Sequence, residues 1–154
     1  MLSQIQLGFL TAFLASTTLS ASTAKVLNSC TFDIYYRLSD STSQPPNINT
    51  ISANGGTFTE AFDTNPGRSI QLSTDQNSLA AGQSMAFEYT VSGSTIYYDL
   101  STVTGSPFAS TPLQLSASDS SCPAVGLGPA YQNPSGQGLV KTCNSQTDLT
   151  LLFC

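Results

Sequence analysis

Short runs in which apolar residues recur at every second position dominate the chain. Phe32, Ile34, Tyr36 and Leu38 alternate with Thr31, Asp33, Tyr35 and Arg37, the pattern of a strand with one face buried. The same period returns at Ile70 and Leu72 within 69–73, at Phe87, Tyr89 and Val91, and at Ile96, Tyr98 and Leu100. Thr147, Leu149, Leu151 and Phe153 carry it to the last residues. Turn chemistry separates the runs: Asn54-Gly55-Gly56 before 57–62, Asn65-Pro66-Gly67 before 69–73, and a Ser/Pro-rich loop through Pro45-Pro46. Ser92-Gly93-Ser94 is a hairpin signal. Residues 123–141 are rich in Gly and Pro and predict a long loop bounded by cysteines. Outside the first residues no segment sustains a 3.6-residue apolar period, and no internal repeat is evident. Short strands cut by turns predict an all-β sandwich or barrel.

The exception is the N-terminal stretch. Residues 5–14 form an apolar run of about ten, the length of a signal-peptide core and too short to span a bilayer. Small residues follow, with cleavage expected after Ala21 or Ala24; the preceding segment carries only the α-amino charge. Residues 1–24 are therefore expected to be a signal peptide and 25–154 one domain. No later segment is apolar enough to anchor the chain and no lipidation signal is visible, so a soluble, secreted, monomeric product is expected.

Charge and composition then narrow the chemistry. Four cations, Lys25, Arg37, Arg68 and Lys141, face nine acidic residues, for a net charge of −5. Such a chain is a poor partner for nucleic acid or an anionic membrane. There is no histidine, so neither a Ser-His-Asp or Cys-His arrangement nor a histidine metal site can be built, and no cofactor is expected. Catalysis, if any, must use carboxylates, tyrosines or bound water. No Asn-x-Ser/Thr sequon occurs; Asn28-Ser29-Cys30 is a weak variant, and O-glycosylation of the Ser/Thr-rich loops stays open.

One constellation stands out. If Val91 pairs with Ile96 across the hairpin, Tyr89 opposes Tyr98 and Glu88 lies directly opposite Asp99. Two carboxylates so placed repel. They would share a proton, bind a cation or face a polar ligand. A slip of one residue removes the pairing, and two solvated charges are the plainer reading. Tyr97 points to the same side, where an aromatic face suits stacking on a sugar ring. Glu60 and Asp63 form a second acidic pair before a turn, read as a solvated edge.

Four cysteines, Cys30, Cys122, Cys143 and Cys154, allow three disulfide pairings. The nested one, Cys30–Cys154 with Cys122–Cys143, closes loops worth roughly 5 and roughly 3 kcal/mol in the chain-entropy account. The spacings contain no C-x-x-C, so a metal cluster is not expected.

The hairpin residues carry a resemblance. Ala86-Phe87-Glu88-Tyr89, then Ile96-Tyr97-Tyr98-Asp99-Leu100-Ser101 and Gly105, resemble the thaumatin-like signature. Asn28-Ser29-Cys30 with Phe32 and Tyr35 resembles that family's N-terminal strand, and 53–58 its glycine turn. Ala130-Tyr131, Cys143 and Leu151-Leu152-Phe153-Cys154 resemble its C-terminal part. Among its members the chain is most similar to small fungal secreted proteins, the yeast-phase-specific antigenic thaumatin-like family.

The resemblance implies a thaumatin-like β-sandwich, Cys30–Cys154 and Cys122–Cys143 disulfides, and a second domain reduced to the loop at 123–141. Plant members have sixteen cysteines and line an acidic cleft with one Arg, one Glu and three Asp. Glu88 and Asp99 match two of those positions. The others fall near Ser94, among Ser135, Gly136 and Gln137, and near Leu72, with Arg68 an approximate substitute for the arginine. The expected function is a non-enzymatic secreted protein that associates with β-glucan or other wall or host glycans, or acts as an antigen or effector. Glu88, Asp99 and Tyr97 are the candidate ligand-binding residues. The alternatives are a weak β-1,3-glucanase using Glu88 and Asp99, and a structural wall component without a ligand.

Overall fold

The structure, a computed structural model, describes residues 22–39, 47–62, 67–127 and 140–154. Eleven strands and one short helix follow one another along the described residues. They are β1 (Thr23–Asn28), β2 (Ile34–Ser39), β3 (Asn49–Ile51), β4 (Gly56–Ala61), β5 (Arg68–Ser73), α1 (Gln76–Ala80), β6 (Met85–Ser92), β7 (Thr95–Ser101), β8 (Leu113–Ala117), β9 (Val125–Leu127), β10 (Lys141–Asn144) and β11 (Leu149–Phe153). One sheet has the order β4-β1-β11-β8-β9 and the other β10-β7-β6-β5-β2-β3. Every pairing is antiparallel except that of β1 with β11, where Val26 stands beside Leu151.

Period-two alternation makes one core of these two sheets. Ala24, Val26, Leu115, Leu149, Leu151 and Phe153 from the first meet Ile34, Ile70, Leu72, Phe87, Tyr98 and Leu100 from the second, all essentially without solvent exposure. The predicted runs at β4, β5, β6, β7 and β11 are strands, and in the last four the expected residues point inward.

Six elements differ from expectation. The first strand starts at Thr23, inside the segment assigned to the signal peptide and its cleavage region, and is flanked by β4 and β11. Its inward residues are Ala24, Val26 and Asn28, too small or polar to stand out as an apolar stripe. The run beginning at Thr31 becomes a strand only at Ile34; Phe32 sits outside it, 38% exposed. Strand β8 alternates Leu113 and Leu115 with Gln114 and Ser116, too short to be distinctive, and β10 is an edge strand without an apolar run. Helix α1 is a single turn capped by Asp75, whose carboxylate accepts the Ser78 N–H, and buries only Leu79, so it leaves no helical period. Of the predicted loop at 123–141, residues 125–127 are β9, and 128–139 lie outside the described residues.

Cys30 bonds to Cys154 and Cys122 to Cys143. The first bridge joins the C-terminal ends of the parallel neighbours β1 and β11, where Ser29 N–H also donates to the Phe153 carbonyl at 3.0 Å. It therefore fastens β1, rather than the strand that follows Cys30. The second joins the β8–β9 connection of one sheet to edge strand β10 of the other.

Asn28 organises the loops beside the first bridge. Its fully buried side-chain amide donates to the carbonyls of Phe32, Ile51 and Ser52 at 2.9, 3.0 and 3.2 Å, and its oxygen accepts the Cys30 N–H at 3.1 Å. The turn it holds has Asn54 at φ 59° and Gly55 at φ 107°. A Cβ at Gly56 would run into the Ser52 carbonyl. With its amide saturated, Asn28 cannot serve as a glycosylation acceptor in the folded protein.

Candidate functional site

Strand register builds the site on the outer face of the six-stranded sheet. Glu88 on β6 lies opposite Asp99 on β7, Tyr89 opposite Tyr98 and Val91 opposite Ile96. The turn at Ser92-Gly93-Ser94 sets that register, with Gly93 at φ 59°. Continuing across the face, Ser69 on β5 neighbours Glu88, and Ser39 on β2 neighbours Ser69. The adjacent row runs Arg37, Gln71, Ala86, Ser101, and the row on the other side contains Thr90, Tyr97 and Thr142. Small side chains thus flank the carboxylates, leaving an open depression of about 480 Å³ lined by Ser39, Ser69, Glu88, Tyr97, Asp99 and Val140, among others.

The two carboxylates are not equivalent. Glu88 is exposed and Asp99 half-buried. Burial, and secondly the charge of Glu88, push the Asp99 carboxyl above its ordinary value. The rim is apolar: Tyr97 is 43% exposed, and Val103 and Val140 are each 62% exposed. Among the described residues only Phe32 is a further exposed large hydrophobic, so three of the four gather around this pair.

Glu60 belongs to a different network. Its carboxylate accepts the Tyr89 hydroxyl at 2.9 Å and lies 3.5 Å from Arg68 Nε, tying β4 of one sheet to β5 and β6 of the other. Burial, and then the charge and hydrogen bond of Glu60, raise the Tyr89 hydroxyl far above the ordinary tyrosine range despite the opposing charge of Arg68. Glu60 is thus an intersheet tie and not the solvated edge read from sequence. Its sequence partner Asp63 lies outside the described residues. Arg68 lines the depression but its guanidinium is engaged by Glu60.

A second arginine, Arg37, lies in the outer row, where its Nε donates to Gln71 Oε1, and Gln71 lines a second depression containing Glu88 and Asp99. Sequence reasoning missed this cation, although its outward phase beside Tyr35 was readable, because the pairing of β2 with β5 is not local. Val103 and Val140 left no signal as lone valines in loops. Ser94 is an exposed turn residue; Ala130, Tyr131, Ser135, Gly136 and Gln137 lie outside the described residues.

Asp119, Cys122 and Cys143 approach one another closely enough to suggest metal ligands, but both sulfurs are in a disulfide and offer no thiolate. Among the described residues no helix is long and apolar enough to cross a membrane.

The profile of the Blastomyces yeast-phase-specific protein family matches residues 11–154. The chain belongs to this family. An antigenic thaumatin-like protein from Arthroderma benhamiae is 34% identical over 143 residues, spanning 86% of this chain and 70% of the relative. The fold is thaumatin-like. A protein elicitor from Magnaporthe oryzae superposes with a TM-score of 0.73 at 24% identity, covering 87% of this chain and 99% of the other. A thaumatin-like xylanase inhibitor does so with a TM-score of 0.59 at 16% identity, covering 85% and 98%. At these identities the two solved structures speak for the fold alone. The yeast-phase-specific family resemblance read from the hairpin and the cysteines is therefore correct.

Proposed function

We propose that this protein is secreted, acts as a monomer without catalysis, and associates with wall or host polysaccharide through Glu88, Asp99 and Tyr97, with β-1,3-glucan as the partner. The supporting observation is that, among the described residues, three of the four exposed large hydrophobics gather around a carboxylate pair flanked by short side chains. Apolar surface stacks on the C–H faces of sugar rings while carboxylates accept hydroxyl hydrogen bonds, the mixed character of carbohydrate sites. The relatives named antigenic and elicitor fit a secreted product that meets a host.

The test is depletion of the disulfide-intact protein from solution by insoluble β-1,3-glucan. Wild-type protein is expected to be retained, and Tyr97→Ala and Glu88→Gln to bind about tenfold more weakly, the loss of about 1.4 kcal/mol of contact. Full recovery in the supernatant refutes the reading, and indifference to substitution at Glu88, Tyr97 and Asp99 would favour a structural wall component.

The direct cross-strand placement of Glu88 and Asp99, one exposed and one half-buried, favours one second reading, weak glucan hydrolysis with Glu88 as acid or base and Asp99 as its partner. Such chemistry needs two carboxyls roughly 5–9 Å apart in different protonation states. A glucanase rate unchanged by Glu88→Gln excludes it.

A further inference from the structure

We infer that signal-peptide removal leaves Ser22 as the first residue of the folded protein, the cut falling between Ala21 and Ser22 and not after Ala24. The inference rests on the secretion reading above. Local sequence alone points the other way: Ser22-Thr23-Ala24 has the small-x-small form that signal peptidases accept, whereas Leu19-Ser20-Ala21 puts a leucine at the outer position. The fold decides against it.

Residues 22–24 belong to the sandwich. Ala24 is fully buried and stands between Glu60 of β4 and Leu149 of β11. Thr23 pairs with Ala61, and its N–H and hydroxyl both donate to Asp148 Oδ1, at 2.7 and 2.9 Å. The Ser22 carbonyl accepts the Phe62 N–H at 2.9 Å, and the Phe62 ring packs on Tyr89 with centroids 5.0 Å apart. A cut after Ala24 removes the buried Ala24, both Thr23 hydrogen bonds and the Ser22 bond that holds the Phe62 backbone. It also converts the Lys25 N–H into an ammonium in the middle of a strand paired on both sides. A cut after Ala21 leaves the new ammonium on Ser22, one residue before β1 begins.

The reaction is hydrolysis by a membrane-bound signal peptidase. Water adds across the Ala21–Ser22 peptide bond, Ala21 departs as a carboxylate, and Ser22 gains the α-amino group. The peptidase reads the unfolded chain, so the fold acts on which product survives: one beginning at Lys25 enters folding without the first two residues of β1.

Two measurements test this. The full chain is expressed in a secreting fungal host, and the N-terminus of the product is sequenced and its intact mass taken. Ser22-Thr23-Ala24-Lys25 is the expected start. A secreted product beginning at Lys25, or at any residue other than Ser22, overturns this inference alone; a cell-retained chain beginning at Met1 overturns the secretion reading with it. Chains beginning at Ser22 and at Lys25 are then refolded with both disulfides and melted. The shorter one is expected to melt about 10 °C lower, as a loss of several interactions does in a domain of this size, and coincident melting curves would overturn the argument.

Discussion

Replacing Asn28 should be among the most damaging single changes outside the apolar core. Its side chain makes four hydrogen bonds with no solvent exposure of its own. Asn28→Ala strands the Ile51 carbonyl and the Cys30 N–H, both in buried bonds, and frees the Phe32 and Ser52 carbonyls, which lie closer to solvent. Each buried group left unpaired costs about 1–3 kcal/mol, whereas the outer carbonyls can turn to water and lose only the smaller net worth of a bond. Summed with allowance for relaxation, the loss is about 3–5 kcal/mol, a large share of a typical stability of about 5–15 kcal/mol. The melting temperature should fall by about 10–20 °C. Asn28→Asp should be worse than Asn28→Ala, since it keeps the acceptor for Cys30 but aims a negative charge at three carbonyls. The assay is urea and thermal unfolding of the disulfide-intact variants. A loss under about 1 kcal/mol for Asn28→Ala, or an aspartate as stable as the native residue, would refute the donor role.

Three further predictions concern the bridges and the carboxylate pair. Loop lengths set by sequence separations of 124 and 21 residues imply that Cys30→Ser/Cys154→Ser loses about 5 kcal/mol and Cys122→Ser/Cys143→Ser about 3 kcal/mol in urea unfolding; the reverse order would show that the entropic account does not govern these bridges. Because the Asp99 carboxyl is raised in the folded state, the folded protein binds the proton more tightly than the unfolded chain, so this group's contribution is most favourable below the unfolded carboxyl value and is lost as pH rises through the higher folded one. Asp99→Asn should therefore stabilise the protein at pH 7, by about 0.2–1 kcal/mol for relief of a like-charge cross-strand pair, and the gain should vanish in acid. Glu88→Gln should lower the Asp99 titration seen by NMR without returning it to the ordinary range, since burial is the larger cause; an unmoved titration would mean that the carboxylates do not sense each other.

What could be read from the sequence follows from which pairings are local. The β6–β7 hairpin closes over a turn whose residues fix its register, so the Glu88–Asp99 juxtaposition was available from the chain itself. The pairings β1–β11 and β2–β5 join distant segments, and nothing local specifies them, so Arg37 was not placed beside the site and the second disulfide was not seen to cross between sheets. Strand β1 was hidden for another reason. Its third inward residue is Asn28, which is polar because it satisfies loop carbonyls that no apolar residue could. Apolar alternation detects strands whose interior is greasy and passes over a strand whose buried end serves the backbone. The outer face poses the converse problem. Solvation and sugar binding call for the same residue types, Ser, Thr, Glu, Asp and Tyr, so alternation alone could not separate a ligand face from a wet one. Val103 and Val140 are unremarkable in sequence, yet separate loops bring them to the edges of one carboxylate pair. If the proposed reading holds, these two valines supply apolar surface for a sugar ring to cover, and sequence alternation has no means of showing that they meet at one carboxylate pair.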